Sequence, residues 1–175
     1  MSDLPHLRMR RASLDVLPEC TLPDGFTLRA AASADLPALT GLMAAAFPEL
    51  LWTPKNVHDA LFADTTVKET LVIEDPAKDA LVATASVRLL PERFPRTGYL
   101  HWVGAHPLYR GKRLGKTISL AVLHAFAQRG CTGAVLETQD FRLTAIRVYL
   151  GLGFVPEIAH ESHPARWDAI LNPPR

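Results

Sequence analysis

A single α/β (α+β) domain is predicted by three observations. The stretch from Tyr99 to Gln128 reads as a strand, a basic glycine loop and a long apolar helix. Segments of period-2 alternation, the mark of strands, are interleaved with segments of helical apolar spacing. A length of 175 residues suits one domain, large enough to bury roughly two thirds of its unfolded surface.

The elements follow in chain order. Residues 1–24 read as an N-terminal extension broken by Pro5, Pro18 and Pro23. Within it Met9–Leu17 offers a short strand at a sheet edge, and a partly ordered arm is the alternative. The domain proper is placed at 25–175. Phe26, Leu28 and Ala30 alternate with Thr27 and Arg29, which predicts a strand. Ser33 is placed as N-cap of a helix through Leu39, Leu42, Met43 and Ala46 that ends at Pro48. Thr53 and Pro54 restart a helix as cap and first residue, with Val57, Ala60 and Leu61 as its apolar stripe.

Thr70–Glu74 and Leu81–Leu90 form a hairpin about the polar turn at Asp75–Asp79. The central strand enters at Thr97, and alternation along it puts Tyr99, His101, Val103 and Ala105 on one face. Gly133–Thr138 is a strand and Leu143–Leu150 a short helix. Phe154–Ile158 and Ala165–Leu171 are expected to form a closing hairpin, with His160 and His163 as surface loop residues. Their H-x-x-H spacing lacks a third ligand, so no metal is expected.

Composition excludes several function classes. A net charge of +1 creates no global field for nucleic acid or an anionic membrane, and no apolar run reaches the roughly 18 residues of a membrane span. Two cysteines, Cys20 and Cys131, are too few for a disulfide framework, and Arg8, Arg10 and Arg11 without an apolar run lead us to expect no secretory signal. A reduced cytoplasmic compartment is therefore expected. A homodimer is left open.

The basic loop is thus a local feature. Arg110, Lys112, Arg113 and Lys116 fall within seven residues around Gly111 and Gly115, immediately before the helix. A helix start offers free N–H groups and the positive end of the macrodipole, and a glycine loop lets those groups close around phosphate. Leu114, Ile118, Ala121, Val122 and Ala125 recur at helical spacing and fix that helix to a core. A solvated basic turn is the plain alternative. Neither a dinucleotide-binding fingerprint nor a P-loop fits the residues.

The run from Val103 to Gly115 resembles the acetyl-CoA motif of the GNAT superfamily of N-acetyltransferases, [QR]-x-x-G-x-[GA] after a strand. Arg110 takes its first position and Gly115 its last, while Arg113 stands where glycine is usual. A second block is similar to the GNAT pattern N-x-x-A-x-x-x-Y-x-x-x-G-F. It matches at Ala145, Tyr149, Gly153 and Phe154, and departs at Arg142, where asparagine is usual. The likeness spans about residues 26–171, and 99–155 is also loosely similar to the C-terminal half of mycothiol-synthase-type GNATs.

The resemblance implies a mixed, strongly twisted GNAT-type sheet of six or seven strands with helices on both faces. It implies acetyl transfer from acetyl-CoA to a primary amine, a small molecule or a peptide, by direct attack in a ternary complex. Cofactor contacts are expected from Val103, Gly104, Ala105, Arg110, Gly111, Lys112, Arg113, Leu114, Gly115, Lys116, Arg142 and Tyr149. It also implies that the 133–138 strand splays from the central strand, exposing backbone groups to a peptide-like pantetheine arm. Tyr149 is expected to protonate the departing thiolate; a thiol near 8.5 and a phenol near 10 make that exchange reasonable.

Attack needs a neutral amine, so a group titrating near pH 7 is sought as base, and His101 is the natural candidate. Glu137 is a second, and each has a plain reading as a structural side chain. Glu49, Trp52, Tyr99, Glu137 and Thr138 are expected around the acceptor, although Trp52 packed on the sheet and Glu49 in solvent fit equally well. A non-catalytic CoA-binding regulatory module is the rival function, supported by Arg113 and Arg142. A phosphate- or RNA-binding protein is a third reading, disfavoured by the near-neutral charge.

Overall fold

The computed structural model describes residues 4–173. Its strands are β1 (Leu7–Arg11), β2 (Thr27–Ala30), β3 (Val67–Asp75), β4 (Ala80–Leu89), β5 (Thr97–Ala105), β6 (Gly133–Thr138) and β7 (Val155–Glu157). Its helices are α1 (Leu36–Ala46), α2 (Pro54–His58), α3 (Leu114–Gln128), α4 (Leu143–Gly151) and α5 (His163–Leu171). The seven strands form one sheet in the order β2-β3-β4-β5-β6-β1-β7. Neighbours are antiparallel except β5 and β6, which run parallel.

Alternation sorts the side chains into two layers. Leu71 and Ile73 of β3 join Leu100, Ile118, Val122 and Phe126 in the core under α3, to which Ile146 of α4 and Trp167 of α5 also belong. Val72, between them, turns to the opposite face and packs with Leu39, Met43 and Val57 of α1 and α2. The α1–α2 layer does not reach β6, β1 and β7. There Val135 packs with Phe94 and Tyr99, and charged residues pair beside them, Arg8 with Glu137 and Arg10 with Glu157.

Several local readings need correction. The N-terminal strand is Leu7–Arg11, and it lies inside the sheet between β6 and β7 rather than at an edge. Leu7 and Met9 are fully buried against α3 and α4, which is why this segment is drawn in. Ser33 does not cap a helix. It lies in a short 3₁₀ turn, Ser33–Asp35, and the Asp35 carboxylate accepts the Ala32 N–H at 2.7 Å. Thr53 does cap α2: its hydroxyl accepts the Asn56 N–H at 3.3 Å, with Pro54 in the first turn.

The expected closing strand Ala165–Leu171 is helix α5. Pro164 in its first turn suits a helix start. His163 and Trp167, four apart, share its buried face. His163 is therefore not a surface loop residue: it is 1% exposed and its Nδ1 lies 3.3 Å from the Ala159 N–H.

Candidate active site

Two parallel strands that separate define the site. β5 and β6 are paired only from Thr97–Gly133 to Tyr99–Val135. Beyond that β5 continues to Ala105 and β6 to Thr138 without facing each other, while β6 stays paired with β1 to its end. A wedge-shaped gap therefore opens toward the C-terminal ends of both strands, lined by peptide groups of β5 that have no strand partner on that side.

β5 is also bulged. Ser86 of β4 faces His101 and Thr84 faces Gly104, so Trp102 and Val103 oppose the single residue Ala85. Trp102 takes the left-handed conformation, φ 47°. The bulge overturns the expected common face. Tyr99 and His101 keep one side, but Val103 and Ala105 turn to pack against the α3 core. Gly104 then faces α1, where an added Cβ would lie 2.9 Å from Ala46 Cβ and 3.0 Å from the Phe47 ring. Only glycine lets α1 approach the bulge so closely.

The basic loop lies just past the end of β5. Leu114 is buried and anchors α3, whereas Arg110, Gly111, Lys112, Arg113 and Lys116 are exposed and Gly115 is half-buried. No side chain caps α3, so its first N–H groups are open to a ligand. The space beside Gly111 and Gly115 is empty to beyond 4 Å. Gly111 (φ 83°) and Arg113 (φ 58°) both adopt the left-handed conformation. Arg113 thus takes a left-handed backbone shape that glycine adopts freely, at some steric cost, and adds a charge. Open amides at a helix start, free volume and four cations fit a diphosphate.

Tyr149 of α4 is buried and packs edge-on to Phe154, with ring centroids 6.0 Å apart. Burial pushes its phenol well above the ordinary value, so it stays protonated and able to donate. His101 behaves differently from the expected near-neutral base. Burial, with the nearby Arg88 cation, pushes its imidazolium down to about 4, against the opposing pull of Asp64 and Glu137. It is neutral at pH 7 and a weak base.

Glu137 is held by partners that sequence reading missed. Tyr99 donates to its Oε2 at 2.9 Å, Arg93 to Oε1 at 2.6 Å and Arg8 to Oε1 at 3.2 Å. Burial alone would raise its pKa, but the Tyr99 hydrogen bond and the Arg93 and Arg8 cations outweigh burial and hold it below the usual range. Glu137 is thus a fixed anion that orients Tyr99 rather than a free base. Thr138, at the end of β6, is buried opposite Leu7.

On the other lip, Trp52 packs on the sheet through Trp102, edge-on at 4.9 Å, and Phe47 packs on Trp102 at 5.3 Å. Glu49 is paired with Arg142. Arg142 also donates to Gln139 Oε1 at 3.1 Å and stacks over Phe47 (4.8 Å) and Phe141 (5.2 Å). The structure therefore brings Arg142, expected at the cofactor, together with Glu49, expected at the acceptor, and with Phe47 and Phe141. Phe47, Phe141, Trp102, Arg8 and Arg93 were not singled out in the sequence. Apart from Phe141, which neighbours Arg142, each is far along the chain from its partner, and no local pattern marks such pairs.

Comparison with known proteins adds to this geometry. The model of the family described as Acetyltransferase (GNAT) family matches residues 37–154. The chain is similar to the mycothiol acetyltransferase of Nocardia farcinica, 31% identical over 159 residues, covering 85% of this chain and 52% of that protein. The protein of the same name from Saccharopolyspora erythraea is 30% identical over 170 residues, covering 92% and 50%. The chain spans about half the length of these curated relatives. In fold it is similar to the GCN5-related N-acetyltransferase from Sphaerobacter thermophilus, with a TM-score of 0.68 at 19% identity over 88% of this chain and 50% of that one. The ribosomal-protein-S18-alanine N-acetyltransferase from Escherichia coli gives 0.62 at 20% identity, over 74% and 77%. Among the described residues no helix is long and apolar enough to cross a membrane.

Proposed function

The chain belongs to the GNAT acetyltransferase family, and from that premise we propose that it transfers an acetyl group from acetyl-CoA to a primary amine by direct attack in a ternary complex. The observation that carries this reading is the uncapped start of α3, with open space at Gly111 and Gly115, set just beyond a bulged strand that has parted from its parallel neighbour.

Bound acetyl-CoA supplies an activated thioester carbonyl and a thiol leaving group. The amides at the start of α3 hold the diphosphate, with Arg110, Lys112, Arg113 and Lys116 adding charge. The unpaired edge of β5 from Val103 to Ala105 offers peptide groups to the pantetheine arm and an N–H to the developing oxyanion. Tyr149, kept protonated by burial, donates to the departing sulfur. His101, neutral at working pH, accepts the amine proton directly or through water. Tyr99, fixed by Glu137, shapes the acceptor side together with Trp52 and Thr138. No covalent nucleophile is required, and orientation alone lowers such barriers by roughly 7–11 kcal/mol in favourable cases.

The test is release of CoA thiol from acetyl-CoA across a panel of amines, beside calorimetric uptake of acetyl-CoA. Because the relatives are named mycothiol acetyltransferase, an unacetylated amine related to mycothiol belongs among the acceptors tried. Turnover on an amine is expected; no uptake of acetyl-CoA by folded protein would overturn the reading. Uptake without turnover would favour a non-catalytic CoA-binding module, the alternative supported by Arg113 in place of glycine and by the weak basicity of His101.

A further inference from the structure

We infer that Arg142 is an anion receptor at the acceptor mouth, held in this structure by the chain's own Glu49, and that the amine acceptor carries a carboxylate which takes Glu49's place. The inference rests on the acetyltransferase reading for the identity of the site and goes on to name the acceptor's chemical class.

The guanidinium is held more firmly than a surface ion pair requires. It stacks on Phe47 at 4.8 Å and on Phe141 at 5.2 Å, and its Nε is fixed on Gln139 at 3.1 Å. What remains is the terminal nitrogen edge, occupied by Glu49. A pair with side chains 21% and 34% exposed contributes little to stability by itself. A planar fork fixed by two rings and an amide is instead suited to receive a carboxylate.

Its position ties it to the chemistry. Phe47, under the guanidinium, also packs on the bulge residue Trp102 and closes over Gly104. Arg142 lies four residues beyond the end of β6, and Glu49 lies two residues beyond Phe47, so the pair joins the segment after β6 to the segment that covers β5 at Gly104. A neutral amine that displaced Glu49 would leave the guanidinium without an anion. A carboxylate-bearing amine replaces Glu49 charge for charge. The rim around the pair is apolar, with Leu50, Leu51 and Phe141 exposed, which favours an apolar body on the same acceptor.

The experiment compares phenylalanine with phenethylamine and leucine with 3-methylbutylamine. Both kcat/KM with acetyl-CoA and calorimetric binding to protein with and without CoA are measured. The acids should be preferred by about tenfold or more, as expected for a charge-assisted pair. Arg142→Gln should shrink that preference below about twofold by raising the KM of the acids. Glu49→Gln should act in the opposite direction, lowering the KM of the acids about threefold because the competing carboxylate is gone. A merely structural latch would not give opposite signs.

Amines used or bound as well as the acids by the wild-type protein would overturn the inference. So would an Arg142→Gln variant with an unchanged ratio and a raised acetyl-CoA KM, which would put the guanidinium on the cofactor. Failure to take up acetyl-CoA would count against the enzyme reading instead, and the calorimetric ratio on unloaded protein would still decide the receptor.

Discussion

The two ends of the wedge are built from different materials. The end proposed for the donor is backbone: the amides opening α3, two left-handed residues and empty space beside two glycines. The end proposed for the acceptor is side chains converging from distant parts of the chain, with Glu49 meeting Arg142 and Trp52 meeting Trp102. The difference teaches where specificity can vary. A backbone cradle tolerates most side chains, as Arg113 in a glycine position illustrates, whereas each acceptor contact depends on residue identity.

The sharpest way to break the contrast is at Tyr149, where a donor-end function rests on one side chain. Tyr149→Phe keeps the packing on Phe154 and removes the hydroxyl. It should lower kcat by about a hundredfold, the low end for a positioned acid, with little change in acetyl-CoA affinity. Steady-state rates beside calorimetry check this, and an unchanged kcat would remove Tyr149 from the proton path.

Next comes the backbone itself. Gly111 has φ 83°, which a β-branched residue adopts only under strain. Gly111→Val should weaken acetyl-CoA binding by about tenfold and cost roughly 1–3 kcal/mol of stability. Neutralising Arg110 and Lys112 to Gln should do less, and its effect should fade in high salt, because exposed charges are screened. If the double neutralisation hurts more than Gly111→Val, the cradle is not a backbone device.

At the acceptor end, Trp52→Ala should raise the acceptor KM severalfold and leave acetyl-CoA binding nearly unchanged, since Trp52 packs on Trp102 and Phe47 away from the α3 loop. Matched KM measurements for the two substrates test the separation. Equal changes in both would mean that the two ends act as one unit.

The same contrast explains what could be read from the sequence. The proposed donor end lies in two short runs, Val103 to Gly115 and Ala145 to Phe154, where spacing can mark it, and the order of most strands and helices followed from periodicity. The bulge left no local mark: Trp102 in a left-handed conformation is a large aromatic residue where glycine would have been the signal. The seat of β1 between β6 and β7 rests on burial of Leu7 and Met9 against elements far along the chain, with Arg8 and Arg10 meeting Glu137 and Glu157, partners 129 and 147 residues away. In α5 the Pro164 signal was present, but Ala165, Trp167, Ala169 and Leu171 also recur at period 2, so the stretch reads as a strand as well as a helix.

His101 gives the smallest effect at neutral pH and the clearest test of burial. Its ordinary pKa of about 6.5 is pushed down to about 4 in the folded protein by burial and Arg88. Between those values the unfolded chain binds a proton that the folded chain refuses. Stability therefore falls as pH drops from 6.5 and levels off below about 4, and above 6.5 the group contributes nothing. The loss is at most roughly 3 kcal/mol, and His101→Gln should abolish that part of the slope. The acid limb of kcat/KM assigned to His101 should likewise lie near 4 rather than 6.5, so the substitution should cost only severalfold in rate at pH 7. Denaturant midpoints for both proteins from pH 7.5 to 4 provide the check. Parallel curves would mean that water reaches the imidazole and that the histidine titrates like a free one.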